Sequence, residues 1–362
     1  MKQKKHSVVK TVLRVLGIIL ATVLVLVIGL LTFLSVAEYR PEDRETVAVE
    51  GTASQTLSVG DTVTVMSWNI GYAALGEDAD FFLDGGTMVR AESVAAVETN
   101  MKGIFAGIDS VRPDILLLQE ADQGSTRSCM VDEVAMFRMH QQGYSSAFAN
   151  NYKVAYVPYP LPTTLGTIDA GIVTFSAYGI ADAQRVQLPV PFSWPLRTIN
   201  LKRCVLITRI PIVDSDKELV LVNLHLEAYD DGEGKLAQTK MLAELLNAEA
   251  EKGNYVVAGG DFNQIFSTTD ASVCPLYEGN WEAPVIDVTQ FGEGWSFLMD
   301  ESVPSCRLLN TPYKGADHNT FQYYIIDGFI VSANLRVESL ETQDLGFVHA
   351  DHNPLVLKVA LS

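Results

Sequence analysis

A chain of 362 residues with 48% hydrophobic and 19% charged side chains holds ample material for a core, which excludes a disordered chain and fits one large α/β unit after an apolar N-terminus. The formal charge is −18, and residues 1–40 carry six basic side chains against the single acid Glu38, so the remainder from residue 41 carries −23. Such a body lacks the basic footprint with which tight or processive nucleic-acid binders neutralise phosphates, which disfavours nucleic acid as a partner without excluding it.

Residues 15–36 form an uncharged apolar run of 22 residues, long enough at about 1.5 Å per residue to cross a hydrocarbon core of roughly 30 Å. A cleaved signal peptide is the competing reading, since Ser35 and Ala37 sit at small-x-small spacing, but signal apolar regions run to only about 7–15 residues. The basic stretch over 1–14 is therefore expected in the cytoplasm and everything beyond Glu38 outside it, on a single-pass protein of the cell membrane. Residues 37–61, with Pro41 and a Gly-Thr-Ala-Ser stretch, read as a tether, and residues 62–362 as the folded domain.

Within that domain, DTVTVMSWNIG alternates and predicts a strand ending near Asn69, and residues 90–109 have helical spacing. DILLLQE is a continuous apolar run, the mark of a strand covered on both faces, and ends in Glu120. A helix over 129–142 is expected next. YSSAFANNYKVAYVPY reads as a pair of strands, DAGIVTFSAYGI as another, and LPVPFSWPLRT as a loop. KRCVLITRIPI and ELVLVNLHLEA form a hairpin whose second strand carries His225. A helix over about 235–251 precedes NYVVAGGDFNQ, a short buried strand ending at Asp261. Residues 267–319 are loop-rich, and three strands follow in QYYIIDGFIVS, LRVESLET and HNPLVLKVAL. About ten strands and few helices, with hairpins mixed among strand-helix-strand crossovers, imply two sheets packed face to face with helices outside. No repeat of fixed period is present, which excludes a solenoid.

Cys129, Cys204, Cys274 and Cys306 lack any CxxC or Cys/His spacing, which argues against structural zinc. Cys274 and Cys306 are open to pairing outside the membrane, and Cys204 in its apolar strand reads as a buried thiol.

The polar residues at these strand ends are Asn69, Glu120, His225, Asp261, Asn263, Asp327, Asp351 and His352. Hard oxygen donors of this kind suit Mg²⁺, with Mn²⁺ and Ca²⁺ as alternatives, and imidazoles move or hold protons near neutral pH. Together they fit hydrolysis of a phosphate ester.

In the order SWNIG, LLLQE, NLHLE, GGDFNQ, IIDGFIVS and ADHNP, the chain resembles the endonuclease/exonuclease/phosphatase superfamily over residues 63–360. The resemblance implies a DNase I-like, four-layered α/β sandwich of two mainly antiparallel sheets, with the site at one end. It also implies Glu120 as central metal ligand with Asn69 and Asp351 beside it, and His352 on the scissile phosphate, oriented by Asp327. Asp261 would activate or position the attacking water, Asn263 would hold that water or a phosphate oxygen, and His225 would stand where some members keep a proton donor for the leaving group. Ala350 and Gly328 depart from the family's frequent Ser and aromatic. No Gly-Lys-Ser loop or G-x-S-x-G elbow is present. A non-catalytic surface module on the same fold would have lost at least one of Glu120, Asp261, Asp327 or His352, and none is lost. Phospholipid, small phosphodiester, phosphomonoester and nucleic-acid substrates remain open at this level, as does the oligomeric state. Arg203 is placed to meet a phosphate, with an ordinary ion pair as the plainer reading.

Overall fold

Leu116 and Leu118 pack under helices while Ile115 and Leu117 pack into the opposite sheet, and this two-sided burial is why the run ILLLQ carries no alternation. The computed structural model describes residues 2–230 and 232–362, the first six as backbone only. The side chains of the predicted basic tail over 2–7 lie outside the described residues.

The elements in chain order are α1 (Lys2–Val36), β1 (Arg44–Thr46), β2 (Val49–Gly51), β3 (Thr62–Asn69), α2 (Val94–Val111), β4 (Ile115–Asp122), α3 (Glu133–His140), β5 (Ser145–Val157), β6 (Gly166–Ser176), β7 (Asp182–Gln187), β8 (Cys204–Pro211) and β9 (Glu218–His225). They continue with α4 (Glu233–Ala250), β10 (Tyr255–Asp261), the short pieces β11 (Ile265–Phe266) and β12 (Val285–Ile286), β13 (Trp295–Leu298), β14 (Cys306–Arg307), β15 (Tyr323–Tyr324), β16 (Asp327–Ser332), β17 (Leu335–Thr342) and β18 (Leu355–Leu361). Two seven-stranded sheets result, in the orders β1-β7-β8-β9-β10-β16-β13 and β17-β18-β3-β4-β6-β5-β2. Their ladders are antiparallel except β9/β10 and β3/β4. Each parallel pair is the one joined by a crossover helix, α4 and α2 respectively, as parallel strands require.

Val65, Leu117, Ile172, Leu206, Leu221, Val257, Phe329 and Leu357 fill the space between the sheets. Met101, Ile104 and Phe137 cover the outer face of one sheet, and Leu242 and Leu246 that of the other. The mixed α/β sandwich of four layers is thus present. α2 starts where the Ser93 side chain accepts from Ala96 N and stops at Arg112, which turns left-handed at φ 53°.

Several expectations are corrected. The segment SSAFANNYKVAYV is one 13-residue strand, β5, with two register irregularities. The helix expected over 129–142 shrinks to α3. All four cysteines are free, so Cys274 and Cys306 do not pair. The largest change concerns residues 37–61. Instead of a tether, this segment adds one edge strand to each sheet, β1 on β7 and β2 on β5. It then bridges Gln55 to Tyr178 and Leu57 to Ile212, with Leu57 wholly buried in the inter-sheet core. The short alternation ETVAVE supplies the strands, and the Pro and Gly signals around it mark bends rather than a free chain.

α1 is long and apolar enough to cross a membrane by length and composition, with a mean hydropathy of 2.9 over its apolar window and none of that window buried.

A fragment starting at Asp61 discards Leu57 and both edge strands. It is expected to unfold ~5–10 °C below one starting at Glu38, from loss of one buried leucine and its ladder bonds. Differential scanning calorimetry of the two fragments checks this, and equal midpoints would contradict it.

Candidate active site

Backbone register sets three acid and imidazole groups side by side. Asp261 pairs with His225 across the parallel β9/β10 ladder and with Asp327 across the antiparallel β10/β16 ladder. Glycines hold these strands at that spacing. A Cβ at Gly260, which has φ +151°, would lie 1.9 Å from Leu224 O, and one at Gly259 would lie 2.4 Å from the Phe329 ring. The Gly328 departure has the same explanation, because Leu298 O and Phe266 already occupy the space where a side chain would stand.

The opposite sheet contributes Asn69, the last residue of β3, and Glu120 in β4. Glu120 has φ 55°, and the β4/β6 ladder is irregular there, between Leu118 and Ala121. Left-handed backbone costs a non-glycine residue about 1 kcal/mol or more, and such outliers gather at functional sites. Asn263 has the same handedness at φ 50°, which asparagine tolerates better than most residues.

Asn69 joins the two sheets. Its Nδ2 donates to Glu120 Oε1 at 3.2 Å and to Asp261 Oδ2 at 3.0 Å, and Gly71 N donates to its Oδ1 at 3.1 Å. Asn263 N donates to Asp261 Oδ1 at 2.8 Å, and its side chain donates to Leu226 O. His225 Nε2 lies 3.4 Å and His352 Nε2 3.9 Å from Asp261 Oδ2, while His352 Nδ1 meets Asp327 Oδ2 at 2.8 Å. Trp68 Nε1 donates to His352 O and fixes the backbone there.

The surroundings shift the two imidazoles in opposite directions. Burial works against a cation at His352, but Asp327 outweighs it and holds the pKa well above the ordinary value. His225 is pushed well down, first by burial and then by the nearby positive Arg203 and His352. Burial raises Asp261 to about 7, opposed by His352 and reinforced by Asp327. Asp351 rises to about 6 through burial, which His352 opposes and Glu120 reinforces.

All eight predicted residues converge. Seven of them line a cavity of about 560 Å³, and Asp327 supports the eighth place through His352. Arg203 lines the same cavity, and the plainer reading of it also holds, since it pairs with buried Glu227 at 3.3 Å and donates to His225 O. Sequence reasoning missed Arg127, which binds Asp122 with two nitrogens, reaches Glu120 Oε2 at 3.4 Å and lies 3.8 Å over the Tyr72 ring. It also missed Asp84 and Arg307. Burial, with Asp351 and Glu120, raises Asp84 to about 7, while Arg307 clamps the carbonyls of Leu75, Gly76 and Ala79. Only Asp122, two residues after LLLQE, offered a signal for this shell.

Among the described residues, the acid and imidazole groups that approach one another within 4.8 Å in a threesome are Asp261, Asp327 and His352. Its imidazole is already hydrogen-bonded to Asp327, which also raises its pKa and so disfavours a metal at that point. The donors predicted for a metal fit one better. Asp351 Oδ1 is buried with no partner, and Glu120 adds a second hard carboxylate in the same cavity.

The family model of the Endonuclease/Exonuclease/phosphatase family matches residues 66–352. No curated protein matches the chain. Among solved structures, an endonuclease/exonuclease/phosphatase from Beutenbergia cavernae superposes with a TM-score of 0.55 at 18% identity, covering 83% of this chain and 72% of that one. One from Bacteroides vulgatus gives 0.53 at 14%, covering 83% and 100%. ANGEL2, a 2',3'-cyclic phosphatase solved with adenosine-2',3'-vanadate, gives 0.52 at 17%, covering 87% and 98%. These likenesses establish a shared fold, and with the family model spanning most of the folded domain and all the polar strand ends inside it, the chain belongs to the Endonuclease/Exonuclease/phosphatase family and is a phosphate-ester hydrolase.

Proposed function

We propose that the chain is a membrane-anchored phosphodiesterase acting outside the cytoplasm, in which water attacks phosphorus directly without a covalent enzyme intermediate. The observation that supports this most is Asp261, a buried carboxylate of raised pKa set between Asn69 and two imidazoles whose pKa values are shifted in opposite directions. Asp261 accepts the proton of the attacking water, and the Asn263 backbone and Asn69 side chain hold its two oxygens in place. His352, kept cationic by Asp327, donates from Nε2 to a non-bridging phosphate oxygen and offsets charge as it builds in the transition state. His225, held neutral by its surroundings, suits a hydrogen bond to Asp261 or the water better than donation of a proton to the leaving group. The departing oxygen takes its proton from water in the open cleft.

Members of the family use divalent metals. Glu120 and Asp351, with Asn69 beside them, would hold the ion, which supplies positive charge to the phosphate oxygens when bound. We read Mg²⁺ as the natural ion from the all-oxygen donor set. The acidic body supports a small or lipid-like phosphodiester over nucleic acid.

With the full chain in detergent and bis(p-nitrophenyl) phosphate as substrate, His352→Ala is expected to lower kcat ~100–1000-fold and Asp327→Asn by a smaller factor. Unchanged kcat in His352→Ala would refute its assignment. The rate is expected to fall as pH drops through about 7, because Asp261 is raised to that value and takes up a proton below it. A pH–rate profile flat down to the ordinary carboxylate range would contradict its role as base. Asp351→Asn is expected to raise the half-saturating Mg²⁺ concentration by ~10-fold or more; an unaltered metal titration would place the ion elsewhere.

A further inference from the structure

The end of α1 is docked on the catalytic domain. Leu34 is buried, Trp194 Nε1 donates to Ser35 Oγ at 3.0 Å, and the Glu38 carboxylate is only 2% exposed. That carboxylate lies 2.9 Å from Arg197 Nε and 3.4 Å from Lys202 Nζ. Trp194 and Arg197 belong to the Pro-rich segment and Lys202 follows it by four residues, while Asn200, Leu201 and Arg203, on the same stretch of chain, wall the catalytic cavity. The segment is itself fixed to the cavity wall, since Lys202 N donates to Asn151 O and Tyr152 OH to Ile199 O. Asn200 stands six residues from Trp194, so this wall lies within about 22 Å of the tryptophan that meets the helix end.

The cavity rim beside that point is apolar and exposed. Leu83 and Tyr229 on its lip are 50% and 54% exposed, Trp194 and Leu196 on the docked segment 54% and 57%, and Tyr159 and Leu161 57% and 81%. Tyr159 reaches the lip through Phe82, with ring centroids 5.6 Å apart. Single exposed apolar residues are ordinary, but two on the cavity lip with four more on the segments at residues 159–161 and 194–196 mark a surface built to be covered. A tryptophan hydrogen-bonded at the end of an apolar helix sits at the depth where such side chains concentrate in bilayers. The strongly acidic body gains nothing from an anionic membrane surface, so apolar contact and the helix must do the holding.

We propose that the cavity mouth rests on the outer face of the bilayer and takes the phosphodiester of a phospholipid directly from the membrane, an inference that rests on the phosphodiesterase reading above and on α1 as a membrane span. Water adds its oxygen to phosphorus, one P–O ester bond of the headgroup breaks, and the departing alcohol carries the proton.

The test uses the full chain in nanodiscs of phosphatidylcholine, phosphatidylethanolamine and phosphatidylglycerol with Mg²⁺. Headgroup release is followed beside turnover of bis(p-nitrophenyl) phosphate. The double variant Tyr159→Asp, Leu161→Asp is expected to lose about tenfold or more in headgroup release while keeping the soluble-substrate rate within about twofold. Tryptophan emission should be quenched by brominated lipid, and Trp194→Phe should remove most of that quenching. Soluble-substrate turnover without headgroup release, equal loss of both activities in the double variant, or quenching indifferent to Trp194 would each overturn the proposal. Absence of turnover on either substrate would instead sink the phosphodiesterase reading and this inference with it.

Discussion

The close approach of β9, β10 and β16 at their ends is the constraint on which the rest depends. Two consecutive glycines in β10 remove the side chains that would push against Leu224 of β9 and Phe329 of β16, and only then do His225, Asp261 and Asp327 fall abreast. His352 enters from the stretch before β18 and closes on Asp327, and Asn69 reaches across from the other sheet. His225, Asp261 and Asp327 therefore inherit their placement from strand register, which keeps them preorganised.

That arrangement concentrates charge where burial is unfavourable to it. The chain resolves this by distributing protons unequally. Asp327 raises the pKa of His352 against its burial, burial and then the positive groups Arg203 and His352 push His225 down, and burial and the Asp122 carboxylate push Glu133 well up. Arg127 sits between Asp122 and Glu120 with its face on Tyr72, so one guanidinium orients the carboxylate whose backbone is in the left-handed region. Removing a partner from such a buried set leaves an uncompensated charge, and the cost is borne at the site itself.

The sandwich and the site were legible in the sequence because both are written in local signals. The two-faced run ILLLQ, the crossover helices and the polar residues at strand ends each follow from a short window, and GGDFN carries both the glycines and the acid they position. What stayed hidden depends on contacts distant in sequence. Arg127 reads as a loop residue until Asp122 and Tyr72 surround it, and Arg307 until it meets carbonyls more than 200 positions away. The strands in 44–51 escaped notice because three-residue edge strands owe their existence to the partners they join, and their own pattern is too short to declare itself.

Those edge strands have a consequence for the order of assembly. Residues 44–57 emerge from the ribosome early, yet their partners are Ser145–Ala147, Gln184–Val186 and Ile212. The first folded-domain residues made must therefore wait for more than ninety others before they acquire any ladder, and each contact then closes a long loop. Both sheets are sealed on one edge by the same returning segment, so neither half of the sandwich is finished alone, and maturation of the two halves becomes a single late event in synthesis.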